Sequence, residues 1–341
     1  MTLYDQPRLE LGSWPTPLVR ASRLEARLGL GPLLIKRDDL SGFALAGSKA
    51  RPLEYLLGDA MAHGHDTLVV GGVAGSNFCQ GAAVAAQAAG LGCHIVLPGH
   101  PPPPPAANLA MALASGAQVS FSGGPREQLD DRIRDRAGEL NDNGRSAVAI
   151  PRGGANAIGS LGFARAAQEL AEQLAAEGHE RARIVMAVGS GASIAGLFVG
   201  ASQLDARWRL TGVAVSRPRA TLIPHLRTLI SGCAGELGVA TPNPATLKLN
   251  QGPRALHGES DSTSNDRAAA VLALETEGLV FDCDYTAPAF AVALRQLAIE
   301  GPPVVFWHTG GLAGAISSYV TSGTGFAAVP FSGDRTCRIT S

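Results

Sequence analysis

The sequence contains very little lysine. Of its 341 residues, 28 are lysine or arginine and only Lys36, Lys49 and Lys248 are lysine, which leaves 28 − 3 = 25 arginines. Basic surface positions are therefore filled almost entirely by arginine. The lysine inside "GSKAR" (47–51) then requires an explanation other than surface charge.

Charged residues are also scarce, at 17% of the chain, and the formal net charge is -1. No Lys/Arg-rich run is present, which argues against the basic face of a nucleic-acid-binding protein. A chain of 341 residues with 45% hydrophobic residues is too long for one small core. We expect two domains or one large α/β unit.

The five cysteines are odd in number and scattered, with no C-x-x-C pair. This favours reduced thiols in the cytoplasm over a disulfide framework or a structural zinc site. The start, "MTLYDQPRLELG", has early acids and no apolar core, unlike a signal peptide. Residues 67–92 lack charges, but their polar side chains and glycines favour a buried strand, loop and helix over a membrane span.

Apolar runs alternate with helix-like segments along the chain. "DTLVVGG" (66–72), "NFCQGAAVAAQAAGL" (77–91) and "CHIVLPG" (93–99) predict a strand, a helix and a strand. The alternation recurs as far as "PVVFWHTGG" (303–311), which predicts an α/β fold with mostly parallel, open sheets. Residues 231–266 are polar and rich in Pro, Gly and Ser, and we expect irregular structure there, around Lys248.

Two glycine-rich turns between a strand and a helix are candidate ligand sites. They are "GGVAGSNF" (71–78) and "VGSGASIAG" (188–196). Exposed backbone N–H groups and the helix dipole in such turns bind phosphate or carboxylate. A tight turn that requires glycine is one alternative. Another is an NAD(P)-dependent oxidoreductase, with Ser216-Arg217 reading an NADP phosphate, although a full βαβ unit precedes the second turn.

Taken together, the motifs resemble one enzyme family. In order they are "WPTPL" (14–18), "IKRDDLSGFALAGSKARPLEYLL" (35–57), "GSNF" (75–78), "IPRGGANAIGSLGF" (150–163), "VGSGASIAGL" (188–197), "DYTAPAFAVAL" (284–294) and "HTGG" (308–311). They are similar to the D-cysteine desulfhydrase and 1-aminocyclopropane-1-carboxylate deaminase family, over about residues 8–320. The resemblance implies fold type II, with two three-layer α/β/α domains and pyridoxal 5'-phosphate between them. The larger domain would comprise 1–48 and 164–341, and the smaller one 49–163, in a cytoplasmic homodimer.

The resemblance also explains Lys49, which matches the family's Schiff-base lysine. A neutral amine can attack the cofactor aldehyde, whereas an arginine cannot. Asn77 matches the residue that bonds the cofactor's 3'-oxygen, and Ser76 matches a serine near the substrate carboxylate, although it could instead only cap a helix. The phosphate loop is matched by Gly189, Ser190, Gly191, Ala192 and Ser193. The family usually has Thr and Gly at positions 188 and 192, so a slightly reshaped loop is expected.

Three further positions match cofactor or substrate contacts. Tyr285 matches an acid-base or orienting group beside the substrate, with core packing as the alternative. Thr286 matches the partner of the pyridine nitrogen, which is threonine in the desulfhydrase branch and glutamate in the deaminase branch. Because a neutral hydroxyl holds a ring proton less well than a carboxylate, we expect a weaker electron sink. Thr309 is expected nearby.

The sequence departs from the family at two places. Phe78 stands where the family has histidine, and Glu259 aligns with a second active-site tyrosine. The absence of that tyrosine, together with Thr286, argues against cyclopropane ring opening. Glu259 could bind a cationic part of the substrate or act as a base, or it could be an exposed loop acid.

These observations predict a lyase that acts on a small amino acid. Lys49 would remove the α-proton, the β-substituent would leave, and pyruvate and ammonia would be released. A deaminase or β-replacement enzyme acting on a different amino acid is the first alternative. A cofactor-binding protein without turnover and a nicotinamide oxidoreductase are the alternatives from other classes.

Overall fold

Two β-sheets, one of six strands and one of four, form the framework of the chain. The computed structural model describes residues 3–101, 106–252 and 264–321. Within these ranges the strands are β1 (Leu18–Arg20), β2 (Leu33–Arg37), β3 (Thr67–Gly71), β4 (Gly92–Leu97), β5 (Gln118–Phe121), β6 (Ala147–Ala149), β7 (Arg181–Val188), β8 (Arg207–Ala214), β9 (Lys248–Gln251) and β10 (Val304–His308).

The helices pack on both faces of these sheets. Within the same ranges they are α1 (Ser22–Leu28), α2 (Ala50–Ala62), α3 (Asn77–Ala88), α4 (Ala107–Ala114), α5 (Leu129–Asp142), α6 (Ala157–Ala176), α7 (Ala192–Gln203), α8 (Arg219–Glu236), α9 (Ser264–Glu277), α10 (Thr286–Leu297) and α11 (Leu312–Thr321). None of these helices combines the length and the apolar character needed to cross a membrane.

Both sheets are open and almost entirely parallel, as the sequence predicts. The larger sheet has the order β1-β2-β10-β7-β8-β9, and only β1 pairs antiparallel with its neighbour. The smaller sheet, β5-β4-β3-β6, is wholly parallel. The carboxyl ends of parallel strands lie at one edge of a sheet, where ligands of open α/β folds bind.

Alternate residues of each strand serve different cores. Ile184 and Met186 pack with helices α6, α7 and α8, whereas Val185 packs on the other face with α9 and α10. In the smaller sheet, Leu68 faces α2, α3 and α4, and Val69 faces α5. Because side chains alternate along a strand, both sheets are three-layer α/β/α structures. The predicted fold class is confirmed.

The two sheets divide between the predicted domains. Every strand of the larger sheet falls within 1–48 or 164–341, and every strand of the smaller one within 49–163. The second proposed boundary lies inside α6. We propose these boundaries as those of the two domains.

One expectation about secondary structure is wrong. Residues 231–236 complete α8, and Lys248 begins β9 rather than lying in an irregular region. The strand β9 pairs parallel with β8, from Thr211 opposite Lys248 to Ala214 opposite Gln251. This strand has four residues and lies at the sheet edge with no fully buried side chain. It therefore lacks the apolar alternation that marks a strand in a sequence.

A buried network of charges joins the segments around Lys49. The Arg51 guanidinium donates to both Asp38 oxygens at 2.8 Å and to both Glu169 oxygens at 2.9 Å. Fully buried Lys36 pairs with Glu169 and donates to the Thr16 carbonyl at 2.6 Å. Burial would raise the pKa of Glu169, but Arg51 and Lys36 lower it below its usual value.

Glu169→Gln should destabilise the fold by about 3–5 kcal/mol, because removing one member leaves buried charge without compensation. The free energy of unfolding is measured by urea titration. Glu172→Gln is the matched control, since Glu172 is exposed on the same helix. If both variants unfolded at the same urea concentration as wild type, the network would not contribute this free energy of unfolding.

Candidate active site

A cleft lies between the carboxyl ends of the two sheets, where ligands of open α/β folds bind. Nine predicted site residues line the cleft: Lys49, Ser76, Asn77, Phe78, Gly189, Ser190, Ser193, Tyr285 and Thr309. The predicted residues Gly191, Ala192 and Thr286 are not among those that line the cleft. Glu259 lies outside the described residues.

Lys49 lies at the start of α2, with its side chain facing the cleft. Desolvation lowers the pKa of its amine from 10.5 to about 8, and Asp38 partly opposes this effect. Asp38 already accepts hydrogen bonds from Arg51, Trp307 and Thr16, so it cannot pair directly with every cation nearby. A substantial neutral fraction at physiological pH makes this amine a nucleophile and a base.

The backbone of the turn before Lys49 is fixed against the end of β10. The Ser48 N–H donates to the Thr309 carbonyl at 2.9 Å. Gly47 has a φ of +56°, and a Cβ there would lie 2.4 Å from the same carbonyl oxygen. Glycine is therefore required at position 47. The contact with the Thr309 backbone fixes the position of Lys49 in the cleft.

The amino terminus of α3 forms one wall of the cleft. Ser76 caps this helix, since its Oγ accepts from the Cys79 N–H at 3.2 Å. Ser76 therefore caps the helix, as one interpretation of the sequence predicted. Its side chain also borders the cleft. Phe78 is buried at 2% exposure, and its ring packs against Gly154. The free N–H groups of this terminus suit a carboxylate.

Asn77 is oriented by a residue that no sequence motif marks. The Asn108 amide donates to Asn77 Oδ1 at 3.0 Å and to the Gly75 carbonyl at 2.7 Å. Asn108 is 3% exposed, on α4. Because its oxygen is engaged, Asn77 presents its amide nitrogen as the group that donates into the cleft.

The amino terminus of α7 forms the opposite wall. Gly191 caps this helix with a φ of +106°, and the Ser190 Oγ donates to the Gly153 carbonyl at 3.4 Å. Ser190 and Ser193 face the cleft, whereas Ala192 is buried beneath them. Backbone N–H groups at a helix start, with two hydroxyls beside them, form an anion site.

An acidic residue that no sequence motif marks, Asp282, lies at the start of α10. It lines the cleft and accepts from the N–H of Tyr285 at 2.7 Å and from Thr286 Oγ1 at 2.6 Å. Burial raises the pKa of Asp282, while these hydrogen bonds oppose the rise. The Thr286 hydroxyl is completely buried, and its proton is directed to this carboxylate.

The residues of the cleft fit pyridoxal 5'-phosphate. Ser48 Oγ is buried, borders the cleft and has no hydrogen-bond partner among the described residues, so it is available to a ligand. An amine of lowered pKa and a neutral anion cradle complete the requirements of an aldehyde that carries a phosphate. The described residues contain no group of side chains that could hold a metal ion.

Comparison with known proteins agrees with this chemistry. The family model "pyridoxal-phosphate dependent enzyme" matches residues 9–310. A D-cysteine desulfhydrase of Klebsiella pneumoniae is 35% identical over 328 residues, which cover 89% of this chain and 94% of that protein. A putative 1-aminocyclopropane-1-carboxylate deaminase of Pyrococcus abyssi is 33% identical over 316 residues, or 90% and 92% of the two chains.

Solved structures show the same fold. The crystal structure of an ACC deaminase homologue superposes with a TM-score of 0.86 and 31% identity, covering 95% of this chain and 97% of that one. The processed form of threonine deaminase isoform 2 from Solanum lycopersicum has a TM-score of 0.60 and 18% identity, covering 95% and 85%. The latter likeness shows the fold alone.

The lowered pKa of Lys49 can be measured directly. In the cofactor-free protein, reductive methylation of Lys49 should rise with pH to a midpoint near 8, because the neutral amine reacts. The yield at Lys49 is read by peptide mass spectrometry. Asp38→Asn removes the charge that raises this pKa, so its midpoint should move to lower pH. A wild-type midpoint near 10.5 would contradict the desolvation argument.

Asn108→Leu should weaken pyridoxal phosphate binding about tenfold, the loss expected for one buried hydrogen bond. The bound cofactor's absorption band should also shift, because Asn77 loses its fixed orientation. Affinity is measured by fluorescence titration, with exposed Ala110→Ser on the same helix as the control. Wild-type affinity in a folded Asn108→Leu protein would assign Asn108 to packing only.

Proposed function

Because the chain belongs to the family of pyridoxal-phosphate-dependent enzymes, we propose that it is a lyase that eliminates the β-substituent of a small amino acid. The products are the free substituent, pyruvate and ammonia. The observation that carries this proposal is Lys49, an amine with a pKa of about 8 between two helix amino termini. Relatives named D-cysteine desulfhydrase match nine-tenths of the chain and support it.

The cofactor, when bound, supplies an aldehyde for attachment and a ring that withdraws electrons from the substrate's Cα. Its phosphate would be held by Ser190, Ser193 and the backbone N–H groups that begin α7. Two further donors lie nearer Lys49. They are the Asn77 amide and the Ser48 hydroxyl, which has no hydrogen-bond partner among the described residues. We assign cofactor binding to these residues.

The substrate's α-carboxylate would be bound at the amino terminus of α3. Ser76 and Asn77 border the cleft there, and the N–H groups of the first helical turn are not used within the helix. This places the amino acid on the small-sheet wall, opposite the phosphate cradle. Phe78 is buried beside this end of the cleft and contributes an apolar surface there.

Lys49 is the proposed general base, since its lowered pKa lets it accept the α-proton near neutral pH. Tyr285 lines the cleft beside Gly189, whose Cβ, if present, would lie 3.2 Å from the tyrosine ring. The phenol is therefore placed to orient the substrate or to give a proton to the departing group. Asp282 and Thr286 fix the turn that carries Tyr285.

A ring-opening deaminase is the second candidate, favoured by the names of several relatives. Against it stands Thr286, a hydroxyl whose proton is committed to Asp282, at the position where the deaminase branch has glutamate. The sequence also lacks the second active-site tyrosine, since Glu259 aligns with it. We therefore rank elimination above ring opening.

We also propose that the enzyme is a cytoplasmic homodimer. Dimers are usual in the family that the sequence resembles. Cys79, Cys93 and Cys233 are buried thiols, and burial raises their pKa values to about 11, 12 and 12, which keeps them protonated and unreactive. Sedimentation velocity tests the dimer, and a monomer at micromolar concentration would contradict it.

The purified enzyme should show a visible absorption band that borohydride abolishes, and Lys49→Ala should lack it. The matched control is Lys248→Ala on exposed β9, which should keep both the band and activity. Both enantiomers of small amino acids with a β-leaving group are then screened for pyruvate and ammonia, and 1-aminocyclopropane-1-carboxylate for 2-oxobutanoate. A protein that stays colourless with added cofactor would refute the proposal, and 2-oxobutanoate alone would favour the deaminase.

A further inference from the structure

Three arginines line the cleft, and the mechanism above uses none of them. Arg126 and Arg152 follow β5 and β6 of the smaller sheet, and Arg217 follows β8 of the larger one. They therefore reach the cleft from both walls. Among the described lining residues the only acid is Asp282, which is held by Thr286 and the backbone.

Arg152 is already paired with Asp130. Its Nε and a guanidinium nitrogen donate to Asp130 Oδ2 at 2.9 and 2.8 Å, and its backbone N–H donates to Oδ1 at 3.0 Å. A third side-chain nitrogen donates to the Arg126 carbonyl at 2.9 Å. These bonds fix the Arg152 plane and the backbone of Arg126 in one position.

Arg217 is half-buried and has no acceptor among the described residues. Burial lowers the pKa of its guanidinium and the charges of Arg152 and Arg126 lower it further, while the charge of Asp130 opposes these effects. Burial also lowers the pKa of neighbouring His225, and Arg217 adds to that effect. Asp130 is already bonded by Arg152, so a further anion would stabilise the partly desolvated Arg217 cation.

The cofactor phosphate is one anion that could fill this role, but it has donors of its own. The backbone at the start of α7, with Ser190 and Ser193, supplies neutral donors for it. Of the three arginines, Arg126 is exposed, whereas Arg152 and Arg217 are half-buried. Their position suits a group that enters with the substrate.

We propose that Arg217, with Arg126 and Arg152, binds a second anionic group on the substrate, in addition to its α-carboxylate. The inference rests on the proposed elimination and specifies its substrate class. The preferred amino acids carry a sulfonate, phosphate or similar anion on Cβ. These arginines, which line the cleft between the two sheets, would determine which substrates are preferred.

The corresponding reaction balances without an oxidant or reductant. Lys49 takes the proton from Cα, and the Cβ–S or Cβ–O bond breaks with its electron pair on the departing sulfite or phosphate. The resulting 2-aminoacrylate takes up one water and yields pyruvate and ammonium. Because the anion gains negative charge as it leaves, a fixed guanidinium beside it stabilises the transition state.

The test compares anionic and neutral substrates that share this chemistry. Cysteate and O-phosphoserine are the anionic probes, and β-chloroalanine is the neutral one, each as both enantiomers. Wild type, Arg217→Gln and Arg217→Lys holoenzymes are assayed for pyruvate. Arg207→Gln is the matched control, because Arg207 is exposed at the opposite end of the same strand, β8.

We expect wild type to prefer an anionic probe. Arg217→Gln should raise its KM about 10- to 100-fold, the loss of one hydrogen bond to a charged group. The kcat/KM for β-chloroalanine and the cofactor affinity should change less than about threefold, and Arg217→Lys should retain part of the preference, because it keeps the charge but loses the planar fork.

Two results would overturn the proposal. One is a wild type that does not distinguish anionic from neutral probes. The other is an Arg217→Gln variant that loses cofactor affinity and keeps the wild-type preference, which would assign Arg217 to the cofactor phosphate. If the cofactor binds but no probe gives pyruvate, the proposed elimination fails. The dissociation constants of cysteate and alanine, from changes in the cofactor spectrum, then decide: tighter cysteate binding supports the anion site, and equal binding refutes it.

Discussion

The structure depends on the pair formed by Arg51 and Asp38. Arg51 lies two residues after Lys49, and its guanidinium bonds both oxygens of Asp38, which is completely buried at the end of β2. The Trp307 indole donates to the same carboxylate at 2.8 Å. Through this pair the start of α2, next to Lys49, is fixed to the larger sheet. Most of α2 nevertheless packs against the smaller sheet. The Asp38 charge also raises the pKa of Lys49 and limits the fall that desolvation causes. One acid thus sets both the position and the basicity of the amine.

Close backbone contacts supply the remaining precision. A Cβ on Gly162 would lie 2.3 Å from the Arg51 carbonyl oxygen, and one on Gly196 would lie 1.9 Å from the Ser160 carbonyl oxygen. Helices α2, α6 and α7 therefore approach one another at backbone distance. Because Lys49 directly precedes α2 and the proposed phosphate site lies at the start of α7, the contact of each helix with α6 fixes the spacing between the amine and that site. Larger residues at these glycines would move one end of the site relative to the other.

Much of this arrangement could be predicted from the sequence, and the rest could not, for physical reasons. The rarity of lysine marks Lys49, and the apolar runs mark the long buried strands, because both signals are local. Lys36 has no such signal: its role depends on Glu169, which is 133 residues away in the chain. Asn108 and Asp282 act through bonds to other site residues, so their importance exists only in the folded chain. The strand β9 has four residues with little burial and follows no clear alternation. The resemblance identified Thr286 as a neutral hydroxyl, but only the structure shows the carboxylate that accepts its proton.

The distribution of charges in the cleft follows from whether each anion must stay bound or leave. A cofactor phosphate would stay through every turnover. Neutral donors such as the N–H groups of α7, which we propose hold it, would avoid the repulsion that fixed cations impose on the substrate's ammonium group. A substrate anion must bind, depart and be replaced. A half-buried guanidinium such as that of Arg217, whose pKa is lowered by burial and by Arg152, would bind such a group without trapping it, since desolvation offsets part of the attraction. On this proposal, neutral donors for one anion and cations for the other follow from the different residence times of the two anions.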